Sequence, residues 1–202
     1  MLRFVTEAVA LHIKTDPPLK METEKKIVEE MDRAGNIMIQ FQKSSTVVTN
    51  LLSRVTSKSD KDDCKSIERQ LRFQFEHVLY QNNVRAEMVA PLAEKHVCGL
   101  VNAVHVVVIR QKGSIVVYFL CTTVKALLKF AHMITSGFLH AIYTEIIQSV
   151  THTTVDVDTY VRADEFNYRL LCLTSQQDTG WLFTCLQCFD AVGCVAGTAF
   201  GL

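Results

Sequence analysis

The 202-residue sequence is short of the features that usually advertise a chemistry. It has no excess charge: 21 basic residues balance 21 acidic ones. A chain without a positive surplus raises no bulk field for nucleic acid, and none is expected as a partner. Glycine is scarce, with eight residues, and none fall into GxGxxG or GxxxxGK[ST]. That excludes the usual phosphate-cradling loops. No GxSxG elbow and no HExxH helix occurs either. Three prolines among 202 residues leave room for long helices. What is present is apolar: 49% hydrophobic against 21% charged residues, enough for a real core.

The seven cysteines are Cys64, Cys98, Cys121, Cys172, Cys185, Cys188 and Cys194. Their odd number, irregular spacing and mostly apolar surroundings predict free thiols in a reducing, cytoplasmic setting. Cys185-Leu-Gln-Cys188 has the spacing of a zinc or redox pair. Zinc needs two further ligands; Cys194 offers one, and the nearest histidine is the distant His152. The Asp156-x-Asp158 pair is explained by strand alternation rather than by cation binding. The seven histidines are read as structural. No catalytic residue, metal ligand or cofactor site is assigned, and the chain is expected not to be an enzyme.

Charge is unevenly spread. Residues 1–90 hold 27 of the 42 charges, and beyond residue 170 only Asp178 and Asp190 remain. The first stretch, 2–13, shows no clean period, and Asp16-Pro17-Pro18 stops it. Ala8-Val9-Ala10 looks like a cleavage site, but the apolar run before it is short and broken by Glu7, so no signal peptide is expected. From Met21 a charged, helix-prone stretch carries Ile27, Val28 and Met31 on one stripe, with Gly35 expected to weaken it. Ile37, Phe41, Val48, Leu51 and Val55 continue at helical spacing. Residues 57–63 form a polar linker. A helix over 64–81 follows, with Asp62 or Asp63 as its cap, then a shorter helix over 85–98 that Pro91 interrupts or restarts and Gly99 ends.

At residue 100 the pattern changes. Val104 to Ile109 and Ile115 to Leu120 read as a β-hairpin around Lys112-Gly113-Ser114, both strands central or covered on both faces. Two helices follow, capped by Thr122 or Thr123 and separated by Ser136-Gly137. Val155 to Val161 alternates strictly: Val155, Val157, Thr159 and Val161 on one face, Asp156, Asp158 and Tyr160 on the other. Asp164 is expected to cap a last helix carrying Phe166, Leu170 and Leu173. This order predicts an α+β fold: a mainly antiparallel sheet covered by helices, a two-layer sandwich, with an N-terminal helical region.

The segment from Val104 to Leu173 then invites a comparison. The Lys112-Gly113-Ser114 turn, the strand ending at Cys121, the Ser136-Gly137 break, Ile142, Ile146 and Ile147, the Asp-Val-Asp strand and Ala163-Asp164-Glu165-Phe166-Asn167-Tyr168 come in an order that resembles the N-terminal module of the TNF-receptor-associated death-domain adaptor (TRADD) family, including invertebrate TRADD-N-like modules. The resemblance covers about seventy residues. It implies an α+β sandwich and a protein–protein interaction role in apoptotic or innate-immune signalling, where the adaptor's module binds a TRAF protein. The chain divides accordingly into an N-terminal segment (1–18), a helical region (19–99), the α+β module (100–175) and an apolar, Gly-rich tail (176–202).

The candidate interaction edge is the half-polar strand: Val155, Asp156, Val157, Asp158 and Tyr160, whose carboxylates discourage uncontrolled strand pairing. A second reading starts from Trp181 to Leu202, 22 residues with one charge, in which Gly193, Gly197 and Gly201 recur every four positions. Such a segment suits helix association or a membrane anchor for a cytosolic domain, with self-association; Asp190 near its middle and the lack of any basic residue after Arg169 count against insertion. The same segment also suits a buried Gly-rich tail. A Cys-dependent redox or metal protein ranks third.

Overall fold

A computed structural model describes residues 8–57, 61–111 and 114–175. In chain order it contains β1 (Ala8–Asp16), α1 (Met21–Ser44), α2 (Thr46–Ser57), α3 (Lys61–Gln81), α4 (Ala86–Val101), β2 (Val104–Gln111), β3 (Ile115–Cys121), α5 (Val124–Thr135), α6 (Phe138–Thr151), β4 (Asp156–Val161) and α7 (Ala163–Ser175). The fold is α+β.

Local chemistry sets the joints. Ser45 separates α1 from α2, its Oγ accepting from the Val48 amide at 3.3 Å. Thr123 is the N-cap of α5, its Oγ1 accepting from the Ala126 amide at 3.1 Å. Gly137 joins α5 to α6 at φ 73°, a conformation that a side chain would strain. α3 begins at Lys61, so Asp62 and Asp63 lie in its first turn rather than ahead of it. Asp164 likewise lies inside the first turn of α7, where it favours the helix dipole and accepts from Arg162 Nη2 at 3.0 Å.

The four strands form one antiparallel sheet in the order β2-β3-β1-β4. Strand β1 takes the place beside both β3 and β4, with Leu11 opposite Val117 on one side and Val161 on the other. The chain thus runs β-α-β-β-α-β, with each helical crossover skipping one strand: a split β-α-β arrangement. The stretch 2–13 carries no clean period in the sequence, yet from Ala8 onward it supplies a central strand. The sheet and the core therefore cross the sequence divisions at 18 and 99.

Register decides which side chains enter the core. Val9, Leu11 and Ile13 lie opposite Phe119, Val117 and Ile115, and all six are buried in one cluster with residues from every helix. Val157 joins them from β4 and Val104 from β2. Phe119 meets Phe130 of α5 with ring centroids 4.8 Å apart. The alternate residues of β1 and β3, among them Ala10, Val116 and Leu120, add nothing to that cluster. The core is built on one face of the sheet.

Three expectations change. Helix α1 runs unbroken through Gly35, because Ile27, Met31, Ala34, Ile37, Met38 and Phe41 bury a continuous stripe around it. Helix α4 runs through both Pro91 and Gly99 to Val101; it is buried along most of its length, and packing outweighs the single backbone bond that proline removes. The hairpin forms with β3 inside the sheet, but β2 lies at its edge. Its apolar character has another source, since α1 and α4 pack against it. The hairpin register shifts between Val106 and Val108. The turn residues Lys112 and Gly113 lie outside the described residues, as does the tail beyond 175.

Candidate interaction edge and a buried polar cluster

Strand β4 is the sheet's other edge. Leu11 through Asp16 pair with one of its long sides, and among the described residues no strand pairs with the other. Its alternation follows from that position. Val155, just before the strand, and Val157 are buried beneath α6, while Asp156 and Asp158 are exposed and Tyr160 is half-buried on the opposite face. The structure thus brings all five expected edge residues into one strand and its approach. The second expected set, Gly193, Gly197 and Gly201, lies outside the described residues, together with Cys185, Cys188, Cys194 and Asp190.

The edge continues into a sheet face that sequence reading missed. Tyr160 lies opposite His12, and the two rings stack at 5.0 Å with planes 12° apart. Lys14 Nζ sits 5.0 Å from the centre of the same Tyr160 ring, opposite Asp158 in register. Beyond them, on the side away from the core cluster, lie Ala10 and Val116, which are buried, and Tyr118 and Leu120, which are half-buried. Asp16 and Asp156 face each other across the strands, a like-charge pair that costs pairing energy at this corner. His12 Nε2 is buried on this face and makes no hydrogen bond within the protein. The signal for the face was present in the parity of 8–16, but Ala8 and Ala10 are apolar as well, which blurred it.

A second constellation lies inside the helical layer. Lys95 and His96 of α4 are 3% and 8% exposed. Lys95 Nζ stands 5.7 Å from the centre of the Tyr143 ring of α6 and makes no hydrogen bond. Burial lowers its amine to about 7, opposed by attraction to Asp32 of α1. His96 Nε2 is also without a partner, while its other ring nitrogen donates to the Met31 carbonyl. Its ring meets Phe75 of α3 edge-on at 6.1 Å. Burial, then repulsion from Lys95, holds His96 well below the ordinary imidazole range. The Tyr143 hydroxyl is the third orphan, and burial pushes its ionisation far up. Sequence periodicity placed these residues on helices but gave no sign that they meet.

The two buried cysteines, Cys98 and Cys121, carry no activated thiol. Burial raises Cys98 to about 11, and Asn102 Nδ2 donates to its sulfur at 3.2 Å. Burial raises Cys121 to about 12. The Cys121 carbonyl accepts from buried Arg169 at 3.3 Å through Nε and 2.8 Å through Nη2. Among the described residues no helix is long and apolar enough to cross a membrane. Comparison with protein-family models, with curated proteins and with solved structures finds no match for this chain.

Proposed function

We propose that the chain is a non-catalytic interaction module of the TRADD-N-like type, acting as an adaptor in apoptotic or innate-immune signalling. The observation that carries the reading is topological: the 104–121 hairpin and the 156–161 strand share one antiparallel sheet, with β4 outermost and the main core cluster on one face. An edge strand offers backbone donors and acceptors to an added strand, and alternate side chains give selectivity. Asp156, Asp158 and Tyr160 lie where an incoming segment would be read, and the His12–Tyr160 stack extends the surface inward.

The test is comparative capture from the protein's own cells. The full chain and a D156K/D158K variant are used as bait, with E22K on the exposed start of α1 as control. Both aspartates are exposed, so the variant keeps its fold, as circular dichroism checks. The edge variant is expected to lose at least about tenfold of a specific partner, equivalent to about 1.4 kcal/mol, while E22K retains it. Equal recovery by all three baits, or no specific partner for the unaltered chain, refutes the reading.

A further inference from the structure

We propose that the junction of α1, α4 and α6 is a proton-operated latch, closed while Lys95 and His96 are neutral and opened by displacement of α1 when they take up protons. The geometry is a cluster of buried polar groups that satisfy one another incompletely. Lys95 Nζ, His96 Nε2 and the Tyr143 hydroxyl are all buried without a hydrogen bond. Few native polar groups stay in this state, because each forfeits its hydration with nothing in return. Arranged on adjacent residues of one helix and on the helix beside it, they form one weak point rather than scattered defects.

Groups from three helices face the pair. From α1 come the Asp32 carboxylate, which attracts Lys95, and the Met31 carbonyl, which holds His96. From α6 comes Tyr143, whose ring faces the amine. From α3 comes the uncharged Phe75 ring. Gly35 of α1 brings its backbone over His96, leaving a Cβ at that position 3.6 Å from the imidazole Cε1. Helix α1 therefore touches both groups, beside α6 at Lys95 and α3 at His96, and among the described residues Asp32 is the opposite charge acting on Lys95. Asp32 itself is exposed, with partial burial raising its carboxyl and Lys95 lowering it.

The sign follows from linkage. Lys95 takes its proton at about 7 when closed and near 10.5 when hydrated, so the open form binds more protons between those values. Acidification across that window favours opening tenfold per pH unit, and the effect is fully developed below about 7. His96 adds to it below 6.5, since its closed form binds a proton only well below that value. Opening exposes the apolar stripe of Ile27, Met31, Ala34 and Met38, which is buried in the closed form.

Hydrogen exchange of the full chain tests this, with rates corrected for intrinsic chemistry. Amides of α1 should exchange up to about a hundredfold faster near pH 6 than near pH 9, while those of β1 and β3 hold steady. K95M, similar in size but uncharged, should flatten most of this response. Lysine side-chain NMR supplies a reading that needs no variant: one amine should titrate near 7, apart from the rest. The latch is overturned if every lysine titrates near its ordinary 10.5, if K95M responds as the unaltered chain does, or if sheet and α1 amides accelerate together, which is global unfolding.

Discussion

At the scale of single residues, Gly35 and Gly99 show two different meanings of a missing side chain. A Cβ on Gly35 meets His96 Cε1 at 3.6 Å, an ordinary contact, in the middle of a helix. G35A is expected to stabilise the fold by about 0.5–1 kcal/mol through helix propensity, measured by urea denaturation. A Cβ on Gly99 falls 2.6 Å from the Val104 carbonyl oxygen, which is backbone and cannot step aside. G99A is expected to destabilise by at least about 1 kcal/mol in the same measurement. Sequence alone offered Gly35 as a helix weakness and Gly99 as a helix end. It had no access to the turn that brings Val104 back under the end of α4, so it could not tell the dispensable glycine from the required one. Lys95 has the same lesson in reverse: nothing in its neighbours Glu94 and His96 announces that the amine points inward.

Among elements, α7 is tied to the sheet by one buried guanidinium. Arg169 donates twice to the Cys121 carbonyl at the end of β3, while Phe166, Leu170 and Leu173 join the core. R169M keeps the aliphatic stem and removes both bonds, and should cost about 1.5–3 kcal/mol with faster amide exchange confined first to α7. The period-3.6 patterns of α3, α5 and α6 and the period-2 pattern of β4 were legible because each has one wet and one dry face. Strand β1 was not. Val9, Leu11 and Ile13 enter the core, but Ala10 is 3% exposed on the opposite face, so both parities look apolar. Helix α4 was misread at its end for a related reason: a helix buried on most sides can tolerate Pro91 and Gly99 where a surface helix would stop. The edge residues of the candidate site were legible from alternation; the His12–Tyr160–Lys14 stack needed the register.

On the scale of the whole molecule, the sheet joins the two ends of the described chain. Residues 100–175 alone lack the strand that lies between β3 and β4. That fragment is expected to remain unfolded by circular dichroism and by amide dispersion in NMR. Removing residues 1–18 from the full chain should do the same. Val9, Leu11 and Ile13 together contribute roughly 5–9 kcal/mol of apolar burial, comparable with the entire stability of a domain. A native-like spectrum from either truncation would mean that β3 and β4 can pair without β1.

The place of β1 also sets an order of events during synthesis. The strand is made before both of its partners, and the later of them, β4, ends at Val161. At 5–20 residues per second, roughly 8 to 30 s separate the two. Until β3 arrives a hydrophobic ribbon waits with both long sides unpaired, and until β4 arrives with one, while α1 to α4 can already assemble. The nascent chain is therefore a client for chaperones until its second half arrives, and slowing translation between β1 and β4 should lower the yield of soluble protein more than slowing it after α7.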